Sequence, residues 1–154
     1  MLKISTKAST TLSLIFSGVL LVALGVMYFL VPAIVSKASL LIYPPRPITT
    51  LGSVYLCVVG YLVLIFATVA DVLLFLLLLR VRKSLVFSER SIAYIRYISW
   101  LSMLEGVLFL ALAPYVKISV FVFVAALMLG LALRVVKNVL EEAMLIKNEN
   151  DFTI

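Results

Sequence analysis

Long apolar runs, parted by short clusters of charge and proline, make up almost the whole chain. A spanning helix needs about 20 apolar residues to cross roughly 30 Å of hydrocarbon. Four stretches meet that length: about Thr11 to Val35, Thr50 to Leu79, Ser91 to Ala113, and Ile118 to Leu133. The runs are continuous rather than alternating, and four open strands would leave unpaired backbone groups in lipid. The pattern predicts an all-α, four-span transmembrane helical bundle in a single domain, residues 1–154. The fourth span continues as a polar helical extension to about Lys147.

The breaks between the runs carry their own signals. Ser36 to Thr49 holds Lys37 and the segment Tyr43-Pro44-Pro45-Arg46-Pro47. Its prolines have no N–H to donate, so no helix passes through. Arg80-Val81-Arg82-Lys83 closes the second run. Ser88 is a good N-cap for the third helix, and Glu89 places negative charge at the positive end of its dipole. Pro114 and Lys117 separate the last two spans by so little chain that those helices should form an antiparallel hairpin.

Composition sharpens the class. Hydrophobic residues make up 65% of the chain and charged residues 13%, against roughly 45–50% and 25% in soluble domains. The mean hydropathy is +1.27. A soluble fold of this size has no room to hide that much apolar surface, and disorder requires the opposite composition. There is no histidine, and the single cysteine, Cys57, cannot form an internal disulfide or a cysteine-rich metal site. No nucleophile motif and no phosphate-binding loop is present. A non-enzymatic protein without metal or cofactor is expected.

The net charge of +6 lies beside the ends of the apolar runs. Lys3, Lys7, Arg80, Arg82, Lys83, Arg90, Arg96, Arg134, Lys137 and Lys147 fall on one side of a four-span topology. Only Lys37, Arg46 and Lys117 fall on the other. The positive-inside rule then puts both termini and the central connector in the cytoplasm, for a multi-pass protein of the cell membrane. The first apolar stretch, at about 24 residues, exceeds the 7–15 of a signal-peptide core, so it is expected to stay as a span. Direct binding of nucleic acid is not expected, because a short loop at the bilayer surface offers no helix to a groove.

Two acids fall inside spans. Asp71 lies nine residues before Arg80, and Glu105 nine residues after Arg96. At 1.5 Å per residue each sits about 13 Å from a basic residue, at similar depth on neighbouring helices. Charged groups there are costly and usually face a partner inside the protein. Three arrangements fit: a shared-proton pair binding a cation or relaying protons, two neutral acids bonding across helices, or Asp71 reaching toward a snorkelling arginine. The first would make a small proton- or cation-coupled transporter. Phe87, Tyr94, Tyr97 and Trp100 near one face, and Tyr28, Phe29 and Tyr43 toward the other, read as an interfacial aromatic belt or, less simply, a ligand cage.

The connector Arg80–Arg90 serves topology and lipid contact, or else docks a soluble protein. Beyond Arg134, Val136, Leu140, Ala143 and Met144 lie along one side of an amphipathic stretch, with Lys137 and Glu141 as an i, i+4 pair. Such a helix lies on the bilayer or is offered to a partner.

Leu79-Arg80, Val86-Phe87-Ser88-Glu89, Ile95-Arg96-Tyr97-Ile98, Glu141-Glu142-Ala143 and the ending Lys147-Asn148-Glu149-Asn150-Asp151-Phe152-Thr153-Ile154 together resemble the bacterial membrane family called domain of unknown function 2975. Phe152 stands where that family usually has leucine. The family has no established activity, but the resemblance implies a gene neighbourhood that often includes a small helix-turn-helix regulator. A membrane regulator or sequestering partner of such a cytoplasmic DNA-binding protein is therefore the leading expectation. Its docking residues would be Arg80, Arg82, Lys83, Phe87, Ser88 and Arg96 from the connector region. The tail would add Glu141, Glu142, Asp151, Phe152 and Ile154. A transporter using Asp71 and Glu105, a membrane immunity or stress protein, and self-association are the other expectations.

Overall fold

Proline, serine and threonine set where the helices begin and end in the computed structural model, which describes residues 6–38, 48–83, 85 and 87–152. Four helices follow in order: α1 (Thr6–Ser36), α2 (Thr50–Arg82), α3 (Glu89–Leu112) and α4 (Ser119–Phe152). No strand occurs among the described residues. Thr49 caps α2, its hydroxyl accepting the Gly52 N–H at 3.1 Å. Ser88 caps α3 by accepting the Ser91 N–H at 3.4 Å. Pro114 ends α3: it cannot donate to the Leu110 carbonyl, which takes the Ala113 N–H at 3.0 Å instead. The segment 39–47, with Tyr43 and Arg46, lies outside the described residues.

All four helices are long and apolar enough to cross a membrane. Their surface agrees. Phe29 is 87% exposed and Leu51 82%, and Phe16, Val22, Phe121 and Met128 also point outward. The interior mixes aliphatic side chains such as Leu14, Leu56, Ile92 and Ile95 with hydroxyls: Ser17, Ser91, Ser99 and Ser102 are buried, as is Asp71. Large apolar side chains outward with serines among the buried residues is a distribution that lipid solvent rewards, since close backbone approach and interhelical hydrogen bonds there drive helix association. This is a four-helix, multi-pass membrane protein.

The helices pack antiparallel in chain order, α1 on α2, α2 on α3 and α3 on α4. Among the described residues α1 and α4 do not approach one another. The arrangement is thus an open row with α1 and α4 at its edges. Small residues bring α3 and α4 closest. Ser99 Oγ donates to the Gly130 carbonyl at 2.7 Å. A Cβ on Gly130 would lie 2.5 Å from Met103 Cγ and 3.0 Å from the Ser99 carbonyl oxygen. One and a half turns deeper, Gly106 faces the Phe123 carbonyl and the Ala126 methyl.

Pro32 lies inside α1. Its missing N–H leaves the Tyr28 carbonyl without a helical donor, which is costly where no water can substitute. The Tyr61 hydroxyl of α2 donates to that carbonyl at 3.4 Å. The Tyr28 and Tyr61 rings stack at 6.3 Å between centroids, and the Tyr28 hydroxyl shares a 3.3 Å hydrogen bond with Thr68 Oγ1. The apparent helix defect therefore joins α1 to α2. Tyr61→Phe is expected to cost about 0.6 kcal/mol in the native background, the average for interhelical bonds in membranes. It should cost much less beside Pro32→Ala, where the carbonyl regains its own donor. A double-mutant cycle on unfolding in micelles checks this; equal costs in both backgrounds would refute the bond.

Candidate functional site

The two acids of the spans are handled separately. Asp71, only 5% exposed, accepts the Ser17 hydroxyl of α1 on Oδ1 at 2.7 Å. Its Oδ2 is buried without a protein partner. A groove of about 570 Å³ between α1 and α2, lined by Ser13, Phe16, Ser17, Asp71 and Leu74 among others, opens beside it. Glu105 on α3 does not line that groove, and its Oε1 is also buried without a partner. No hydrogen bond joins the two carboxyl groups, and among the described residues no arginine reaches Asp71. The expected depth similarity does not produce a pair, because α1 supplies a serine at the level where Asp71 turns inward.

Arg80 turns inward as well. Its Nε donates to Ser91 Oγ at 3.0 Å and its Nη2 to Ser88 Oγ at 2.9 Å. Ser91 also donates to the Leu85 carbonyl at 2.8 Å and is fully buried. The end of α2 is thereby tied through one guanidinium to Ser88 and Ser91 at the start of α3. Of the residues expected to meet a partner, Arg80 and Ser88 are occupied in this internal network. Arg82, Lys83 and Phe87 remain exposed.

Arg96 and the tail meet across 45 residues of sequence. Arg96 Nη2 lies 2.8 Å from Glu141 Oε1, and Lys137 Nζ 2.6 Å from Glu141 Oε2. One carboxylate thus takes one cation on each oxygen and pins the start of the α4 extension to the start of α3. Beside this clamp Ile92, Ala93, Met144 and Leu145 line a groove of about 490 Å³, rimmed by Glu89, Arg96 and Glu141. Glu142 is exposed on the same extension. The side chains of Asp151 and Phe152 lie outside the described residues, as does Ile154.

The Glu141 clamp carries a pH dependence. The hydrogen bond from Lys137, then that from Arg96, holds the Glu141 carboxyl below its ordinary value of 4.5. A folded-state value below the unfolded one contributes stability above the unfolded value, and that contribution is lost as pH falls through the folded one. The clamp is expected to be closed at neutral pH and to open in acid. A carbon-13 titration of Glu141 should give a midpoint below 4.5, moving up in Lys137→Gln and Arg96→Gln; a midpoint at or above 4.5 in the native chain contradicts the clamp.

The family model described as "Protein of unknown function (DUF2975)" matches residues 6–154. The chain belongs to this family. No curated protein and no solved structure matches it. The DUF2975 match runs from the start of α1 through the whole α4 extension, so the groove at the α3 start belongs to the matched unit and is not an appendage. The resemblance read from Ser88-Glu89, Arg96 and the tail is borne out.

In this DUF2975 chain two features of the basic end are not visible from local sequence. Trp100, 58% exposed, lies under Arg134, whose Cζ is 4.1 Å from the ring centroid. Arg96 finds its carboxylate on another helix. The belt reading of Tyr97 and Trp100 agrees with their outward exposure. The only signal for the Arg134 contact is that both residues lie near the same end of neighbouring antiparallel spans.

Proposed function

We propose that this protein is a non-enzymatic membrane regulator that holds a basic helix-turn-helix DNA-binding protein at the cytoplasmic surface. The observation that carries the reading is the α3–α4 groove. It is built jointly by the first turns of α3, which hold the docking candidate Arg96, and by the α4 extension, which holds the docking candidate Glu141. The extension is long enough to matter. The 34 residues of α4 span about 51 Å, against about 30 Å of hydrocarbon. Four of the seven acids of the chain, Glu141, Glu142, Glu149 and Asp151, lie on it. The extension also carries Arg134, Lys137 and Lys147, so its acids gather beyond Leu140; a DNA-binding protein presents cations shaped for phosphate, and that acidic end is complementary to such a face. The excess of Lys and Arg at the same end supports a cytoplasmic placement of this surface and of both termini.

A second reading keeps one observation in its favour. Asp71 Oδ2 and Glu105 Oε1 are buried acceptors without partners, and such groups in membranes often serve ions or protons. Against it, the Asp71 groove does not extend to Glu105.

The test uses the full chain in nanodiscs and a purified small basic helix-turn-helix protein as the probe. Binding is expected to weaken at least about tenfold when Ala93→Trp fills the groove, and to weaken as salt rises from about 50 to 300 mM. Unchanged binding by Ala93→Trp overturns the docking assignment. If Asp71→Asn and Glu105→Gln abolish a proton or cation flux in liposomes, the transport reading takes its place.

A further inference from the structure

Apart from the docking groove, the α3–α4 seam holds a second recess, of about 260 Å³, lined by Arg96, Ser99, Trp100, Arg134, Lys137 and Asn138. The six residues form two matching sets. Arg96, Ser99 and Trp100 are i, i+3 and i+4 on α3, and Arg134, Lys137 and Asn138 are i, i+3 and i+4 on α4, so each set occupies one helix face. Three cations converge, and Glu141 offsets only one of them through Arg96 and Lys137. Ser99 spends its hydroxyl on the Gly130 carbonyl and forms the floor.

Arg134 is the unexplained member. It is half-buried, and its guanidinium meets the Trp100 ring but no carboxylate and no hydrogen-bond acceptor among the described residues. A guanidinium carries five N–H donors in a rigid fork suited to the oxygens of a phosphate or carboxylate. Arg134 directly follows the apolar run that ends at Leu133, so the fork lies at the boundary between hydrocarbon and headgroups. The exposed Trp100 holds the same level, the depth that interfacial tryptophans occupy. Basic recesses between spanning helices at this depth suit the headgroups of anionic lipids.

We infer that this recess binds the phosphate of an anionic membrane phospholipid. Arg134 presents its fork to the phosphate, Arg96 and Lys137 supply the field that selects for net negative charge, and Asn138 adds a neutral donor. The chemistry recognised is a phosphate ester; the lipid is its source because the recess opens where headgroups lie. The inference does not depend on the regulator reading, since no docking partner enters it.

Trp100 is the only tryptophan of the chain, so its emission reports on the recess directly. The delipidated protein in neutral detergent is titrated with dioleoylphosphatidylglycerol, with dioleoylphosphatidylcholine and with soluble glycerol 3-phosphate. Saturable change with phosphatidylglycerol is expected, with phosphatidylcholine at least about tenfold weaker. Arg134→Gln should weaken phosphatidylglycerol at least about tenfold, and Arg134→Lys, which keeps the charge without the fork, should fall between the two. The comparison of the two lipids on the native chain needs no variant and stands even if Arg134→Gln fails to fold. Equal affinity for the two lipids, or an Arg134→Gln midpoint equal to the native one, overturns the site. Saturation by glycerol 3-phosphate at the same concentration as phosphatidylglycerol overturns the lipid as its source.

Discussion

Replacing Gly130 with leucine is expected to force α3 and α4 apart and to cost about 2–4 kcal/mol. The Cβ alone would lie 2.5 Å from Met103 Cγ and 3.0 Å from the Ser99 carbonyl oxygen. Methionine is adaptable, but a helical carbonyl cannot yield without moving the helix. Overpacking of this kind typically costs about 1–3 kcal/mol. Separation also lengthens the 2.7 Å bond from Ser99 to the Gly130 carbonyl, worth roughly another 0.6–1.7 kcal/mol in a membrane. Unfolding of the variant in mixed micelles should therefore come at clearly lower denaturant than in the native chain, with Gly130→Ala between the two. The consequence reaches the groove, because the Arg96–Glu141 ion pair spans the same seam. Native stability for Gly130→Leu would mean that α3 and α4 do not meet at this position.

The second large effect is expected from truncating the chain after Leu140. Glu141 would be gone, leaving Arg96 and Lys137 without the carboxylate that joins them. Met144 and Leu145, which form one wall of the groove, would be gone as well. The apolar part of α4 and its contacts at Gly130 and Gly106 remain, so the spans should still insert and pack. Regulator that sediments with native membranes should then fall at least about tenfold, a loss of about 1.4 kcal/mol or more in binding. Glu141→Gln with Glu142→Gln should give a smaller loss, since it removes charge while keeping the apolar wall. Undiminished sedimentation after truncation would leave the docking assignment without support.

The contrast between what local sequence reveals and what it hides follows from distance along the chain. The spans are legible because crossing hydrocarbon demands a fixed apolar length, and Ser88 is legible because a cap needs only its own next turn. The Lys137–Glu141 pair is likewise local, four residues apart, and closes at 2.6 Å. Ser17 as the partner of Asp71 was not legible, since 54 residues separate them and serine in an apolar run signals nothing by itself. The inward turn of Arg80 depends on where α3 begins, which arginine counting ignores. Pro32 was visible in the sequence, but its consequence needed the Tyr61 hydroxyl of another helix. The open row was hidden for a different reason. Helices that are apolar all round carry no stripe to tell a protein neighbour from lipid.

The placement of the groove and of both chain ends rests on four crossings with the basic end inside. Paired fusions test it most directly: a fluorescent protein and a phosphatase that is active only outside the cytoplasm, each placed after Ile154 and, separately, between Val116 and Lys117. Fluorescence without phosphatase activity is predicted at Ile154, and phosphatase activity without fluorescence at Val116. The reversed pattern, or the same pattern at both positions, contradicts it.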